Sequence, residues 1–293
     1  MRQMSARSVW VMVVIALGIT VLSVLAAAVA SCILSNIRRD LPQAHRAVYD
    51  LSLDSADPSS SITALQGRMV VEWRGGPACD GYTSEQRVVT RSIDDAGQVS
   101  VSDVRLSAWE AANGNEFRFD RTEYLDGTLS GSENGVAKRD HGVVVLALDG
   151  AEPIELPSKV MFPNAFNMAF TSAMRRGKSS FARLLFDGAQ PGATNVTAFV
   201  GKAVQLPEDV ARIGVKNESE GVALSAMTVR PVHMSYFDLN PEAPSDTIDV
   251  GPSFEMGFLV SPNGVMSGLR LIYEDAVVSG KLVGIEYFKR GSC

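Results

Sequence analysis

Glu116-Phe-Arg-Phe-Asp120, followed by Asp126-Gly127, is the stretch from which the fold is read. Phe117 and Phe119 alternate with charged neighbours, and a period of two puts one face of a strand on a core and the other in water. Asp-Gly supplies the positive φ angles of a tight hairpin, so the next strand should return antiparallel. The same rhythm recurs on both sides. Ala47, Tyr49, Leu51 and Leu53 alternate with other residues, as do Met69, Val71 and Trp73, while Val143, Val145 and Ala147 keep the pattern less strictly. Turn pairs fall at Gly75-Gly76, Asn113-Gly114, Asn134-Gly135 and Asn263-Gly264. The expectation is a mainly β chain built as an antiparallel meander. Further strands should run through Thr197-Ala-Phe199, Val222-Ala-Leu224 and Phe254-Glu-Met-Gly-Phe258. Near the end, Val277-Val278 and Leu282-Val283 flank Ser279-Gly280-Lys281, which reads as a last hairpin turn.

One segment departs from this rhythm. Between Pro163 and Gly177, Phe166, Met168, Ala169, Phe170, Ala173 and Met174 recur at helical spacing. Proline suits the first helical turn and glycine the C-terminus. Phe166, Phe170, Ala173 and Met174 form a stripe able to fill the concave face of a curved sheet. Read as core, the helix plugs that face; read functionally, it is a lid over a cavity. An open barrel lined by Trp73, Phe117, Phe119, Phe166, Phe170 and Met174 could then hold an acyl chain. Arg175-Arg176 with Lys178 is the densest basic patch, either a solvated helix end that complements the helix dipole or a short docking patch.

The N-terminus carries a targeting signal. Arg2 and Arg7 precede an apolar run from Val9 to Ala30. Basic start, apolar middle and the small-residue end Ala28-Val29-Ala30 are the parts of a secretory signal. The run is also long enough to span a bilayer as an uncleaved anchor. Val29-Ala30-Ser31-Cys32 is similar to a lipobox, which would make Cys32 the acylated residue. All three readings place the body of the chain outside the cytoplasm. The expected organisation is a signal peptide or anchor over residues 1–30, a polar tether over 31–43 and a single domain over 44–293.

The chain has three cysteines in 293 residues. With Cys32 cleaved off or acylated, Cys79 and Cys293 remain, and two thiols in an oxidising compartment are expected to pair. The alternative is two free buried cysteines. A formal net charge of −6 without a run of clustered cations argues against a nucleic-acid partner. The histidines, His45, His141 and His233, lie at no metal-ligand spacing. Gly177-Lys178-Ser179 lacks the earlier glycine of a phosphate-binding loop, and Asp126-Gly-Thr-Leu-Ser-Gly131 lacks the spacing of a nucleophile elbow. Asp238, Asp246 and Asp249 read as turn caps, with a weak Ca²⁺ site the functional alternative. The sequence thus points to no cofactor, no metal and no enzyme. A cell-wall hydrolase would need a carboxylate pair that no motif marks.

Several segments, taken in order, resemble the EipB family of periplasmic cell-envelope integrity proteins. They are His45-Arg-Ala-Val-Tyr49-Asp-Leu51, Cys79-Asp-Gly81-Tyr82-Thr with Gln86, Phe117-Arg-Phe119, Leu156-Pro157, Phe162-Pro163 and Phe186-Asp187-Gly188. Ser235-Tyr236-Phe237, Asn263-Gly264-Val265 and the terminal Cys293 complete the series. One departure is Ala165-Phe166, where the family often carries a histidine. The resemblance implies a single spiral-like antiparallel sheet, an incompletely closed β-barrel with a helix in its concave face. It also implies a Cys79–Cys293 disulfide, no enzymatic activity, a role in envelope integrity and a periplasmic tetratricopeptide-repeat partner. Similarity of that fold to lipoprotein carriers adds a lipid or lipoprotein ligand as the alternative.

Overall fold

The structure is a computed structural model that describes residues 43–76, 78–190, 192–218, 228–239, 251–289 and 293. The N-terminal run and tether, the Val222–Leu224 strand and the Asp246 and Asp249 positions lie outside the described residues.

Eight strands follow one another first: β1 (His45–Ala56), β2 (Ile62–Gly75), β3 (Gly81–Asp94), β4 (Val99–Ala111), β5 (Glu116–Leu125), β6 (Thr128–Asp140), β7 (Val143–Leu148) and β8 (Ile154–Leu156). Helix α1 (Pro163–Arg175) leads into β9 (Ser180–Leu185) and β10 (Thr194–Val200). Short elements come next: β11 (Val204–Gln205), α2 (Glu208–Ala211) and β12 (Val215–Lys216). The chain ends with β13 (Thr228–Asp238), β14 (Phe254–Val260), β15 (Met266–Ile272) and β16 (Ala276–Tyr287).

One sheet contains the strands in the order β8-β7-β6-β5-β4-β3-β2-β1-β16-β15-β14-β13-β10-β9, with β11 beside β13 and β12 beside β16. Neighbours along this path are antiparallel, and the sheet curls without closing. Its first and last strands, β8 and β9, do not pair. Met161, after β8, makes a single parallel bridge to Leu185 of β9. At the centre, β1 lies between β2 and β16: Tyr49 faces Met69 on one side and Leu282 on the other. The first and last strands of the chain are therefore neighbours.

The period-two reading explains which face is inside. Ala47, Tyr49 and Leu51 are buried with Met69 in the main core, while Arg46, Asp50, Arg68 and Glu72 stand on the opposite face as ion pairs. Helix α1 buries Phe166, Phe170, Ala173 and Met174, the stripe expected from the spacing, in the same core. A second core gathers Phe117, Phe119, Ala137, Val144, Leu146, Leu156, Phe162 and Phe186.

Three sequence expectations change. Asn134-Gly135 is not a turn but lies within β6, where Gly135 pairs with Phe119 and with Leu148. Glycine is needed there because a Cβ would stand 2.8 Å from the Phe119 ring and 2.7 Å from Leu148. In β7 the phase is opposite to the one read: Val144 and Leu146 are buried, and Val143, Val145 and Ala147 face out. Val143-Val-Val-Leu-Ala-Leu148 is apolar at every position, so alternation alone cannot choose its inner face. Ser279-Gly280-Lys281 is mid-strand, because β16 is held by β1 and β15 on both sides.

Candidate functional site

Segments far apart in sequence converge at the N-terminus of α1. Phe162, which precedes the helix, stacks on Phe117 with ring centroids 5.5 Å apart. Phe186, beyond β9, meets Phe117 edge-on at 5.9 Å and Phe119 at 5.8 Å. Edge and offset arrangements of this kind add to the burial energy of the rings. The Phe-x-Phe, Phe-Pro and Phe-Asp-Gly segments thus form one aromatic cluster beneath the helix start. Gly188 completes it: its φ is +77°, and a Cβ there would stand 2.7 Å from Phe119.

The helix has no capping side chain of its own at Phe162. Its cap comes from across the sheet. Glu110 on β4, 3% exposed, accepts the backbone N–H of Asn164 at 2.5 Å and of Ala165 at 2.9 Å. These are donors that a helix start leaves without intrahelical partners, and a carboxylate beside them also favours the positive end of the dipole. Burial pushes the Glu110 carboxyl up to about 7, and the two backbone bonds oppose that rise. Nothing in Trp109-Glu110 marks this role in the sequence, because the partner donors are backbone atoms more than fifty residues away.

The structure divides the residues named for an apolar cavity. Phe166, Phe170 and Met174 pack in the main core, and Phe166 and Phe170 meet Phe181 edge-on at 5.3 and 5.7 Å. Phe117 and Phe119 belong to the second core. Trp73 is half-buried and stacks on Tyr82 at 5.6 Å. Cys79 and Cys293 are joined, with Cα atoms 5.6 Å apart. The bridge ties the start of β3 to the end of the chain.

A groove of about 360 Å³ lies over β1–β5, lined by Arg46, Glu72, Glu85, Arg87, Arg105 and Asp120 among others. Those side chains alternate with the core residues and so face away from α1. Beside it, Asp103 is held between Arg87 and Arg105 at 2.8 and 2.7 Å, and the two guanidinium hydrogen bonds hold its carboxyl well below the usual range. His45 Nδ1 lies 2.6 Å from the Gln43 carbonyl, and burial lowers its pKa. His233 lies 2.9 Å from Glu255, which also accepts the Ser235 hydroxyl at 2.6 Å. Serine and histidine both bind the carboxylate rather than each other, unlike a nucleophilic triad. Among the described residues no group of three His, Cys, Asp or Glu could hold a metal ion. No helix among them is long and apolar enough to cross a membrane.

An unclosed antiparallel sheet with a helix seated in its curve and a disulfide to Cys293 defines a β-barrel-like protein. The chain belongs to the EipB-like family, whose model matches residues 41–289. It is 32% identical over 250 residues to the cell envelope integrity protein EipB of Brucella abortus (strain 2308), covering 84% of this chain and 85% of that protein. It is also similar to the crystal structure of a β-barrel-like protein of the domain of unknown function DUF1849 from Brucella abortus. That likeness has a TM-score of 0.75 at 30% identity and covers 85% of this chain and 99% of the other.

Proposed function

We propose that this chain is a non-enzymatic protein of the periplasm that supports cell-envelope integrity through contacts with other proteins. The match in sequence to a cell envelope integrity protein over most of both chains carries the reading. The N-terminal apolar run and the terminal disulfide support an exported location. A periplasmic tetratricopeptide-repeat protein is the partner class this reading takes first. The place of α1 favours a contact protein over a carrier, since a carrier of acyl chains needs an apolar space and α1 buries Phe166, Phe170 and Met174 in the main core.

Deletion of the gene, combined with cross-linking of the tagged full chain in intact cells, tests this. The expected result is increased sensitivity to detergent and to cell-wall antibiotics, with a discrete cross-linked protein species. Unchanged sensitivity overturns the integrity role. Lipid co-purifying at one equivalent would favour the carrier, and release of fragments from peptidoglycan would favour a hydrolase.

A further inference from the structure

The chain is acidic overall, yet its charge is unevenly placed. Between Glu155 and Glu208 the sequence carries Lys159, Arg175, Arg176, Lys178, Arg183 and Lys202 against a single acid, Asp187. This basic stretch contains α1, β9 and β10, and β9 is the last strand of the open sheet. Arg175, Arg176, Lys178 and Arg183 are exposed. Among the described residues none of the four forms an ion pair. Arg176 bonds the Ser172 hydroxyl and Arg183 the Ala182 carbonyl.

The outer edge of β9 is largely unpaired. Val200 N–H bonds the Ser179 carbonyl, so in the antiparallel register residues 179, 181, 183 and 185 bond β10. Ser180, Ala182 and Leu184 then direct their backbone groups outward. Met161 takes the Leu184 carbonyl and Arg183 the Ala182 carbonyl. The N–H groups of Ala182 and Leu184, and both groups of Ser180, bond nothing among the described residues. The chain itself shows that this edge accepts another segment, because Met161 bridges Leu185 there in the parallel sense. On the outer face Ser180 and Ala182 are small and exposed, and Phe199, directly opposite Ser180, is 58% exposed.

We propose that the β9 edge is a docking site for an extended acidic segment of a partner protein, which adds a strand beside β9. The N–H groups of Ala182 and Leu184 and both backbone groups of Ser180 supply the ladder. Arg176, Lys178 and Arg183 take the acidic side chains, and Phe199 takes an apolar one. The proposal rests on the protein-contact reading above and gives that contact a place and a partner chemistry.

The test uses the full chain in its oxidised form and a fluorescent peptide of alternating Glu with Val or Thr, eight residues long, read by anisotropy. Ala182→Pro removes one outward N–H and leaves the bonds to β10, a substitution that edge strands accept. Expected are at least tenfold weaker binding by Ala182→Pro, and the same loss when the peptide is N-methylated at alternate residues. Neutralising Arg176, Lys178 and Arg183 with glutamine should weaken binding and flatten its salt dependence. If Ala182→Pro shifts the melting curve, Phe199→Ser, at an exposed position, serves in its place and should weaken binding severalfold.

Equal binding of the parent and N-methylated peptides overturns the strand addition. So does binding of phosphatidylglycerol vesicles without binding of the peptide. Absence of any binding means the cations only shield the edge from self-association, and also overturns it. If Ala182→Pro still cross-links its envelope partner at the wild-type yield in cells, the contact reading survives and this edge is not its seat.

Discussion

The ring of Phe119 occupies the space in which a side chain at residue 188 would stand: a Cβ on Gly188 would come within 2.7 Å of it. The same ring lies within 2.8 Å of where a Cβ on Gly135 would be. Phe119 is thus clamped between two residues without side chains, which explains a Phe-Asp-Gly triplet so far from the Phe-x-Phe strand.

Gly188→Ala should therefore be strongly destabilising, on the order of 3 kcal/mol, from overpacking plus the positive φ. Chemical denaturation of the purified variant measures this. Phe119→Leu in the Gly188→Ala background should recover part of the loss, and additive effects would show that the two residues are not coupled.

Glu110 gives a pH signature. Its folded carboxyl titrates near 7, above its ordinary 4.5, so between these values the folded state holds the proton more than the unfolded state does. Linkage then makes this group's contribution full below about pH 4.5 and lost as pH rises to about 7. Glu110→Gln should abolish that slope, so the stability difference, wild type minus variant, should decline from pH 4.5 to 7 and stay level above. Glu110→Ala, which leaves the N–H groups of Asn164 and Ala165 without their acceptor, should cost about 1–3 kcal/mol above pH 7 and more toward pH 4.5, because it removes the same titrating group. Thermal melts across pH 4 to 8 check both.

The disulfide closes a loop with a sequence separation of 214. In the chain-entropy account such a loop contributes about 5 kcal/mol, and native bridges commonly give about 2–5. Cys79→Ser or Cys293→Ser should lower the melting temperature and raise protease sensitivity. Identical melts with and without reductant would contradict the pairing.

Truncating the helix stripe should be costly too. Phe170→Ala removes a ring buried against Phe181 and should destabilise by about 3–5 kcal/mol. A small effect in urea denaturation would mean that α1 is loosely seated, which is what a movable lid requires.

Much of the fold was legible because one-sided burial leaves a periodic trace. Ala47, Tyr49 and Leu51, and the stripe of Phe166 and Phe170, announce their elements through spacing alone. Where both kinds of position are apolar, as in Val143–Leu148, the trace disappears and the inner face is decided by neighbours. Gly135 and Gly280 read as turns because glycine in a strand and glycine in a hairpin look alike without the partner strands. The candidate site was less legible still. Glu110 acts on backbone atoms, and the β9 edge is defined by which hydrogen bonds are not made, which no residue type encodes.

The pairing of β1 with both β2 and β16 bears on how the chain is made. A polypeptide emerges N-terminus first, so β1 can pair with β2 early but must wait for Ala276–Tyr287 before its second edge is covered. Non-local closure of this sort is slow and leaves unpaired strand exposed to neighbours meanwhile. The nascent sheet is therefore completed only once Ala276–Tyr287 has been made, and the cysteine of its covalent lock, Cys293, follows close behind.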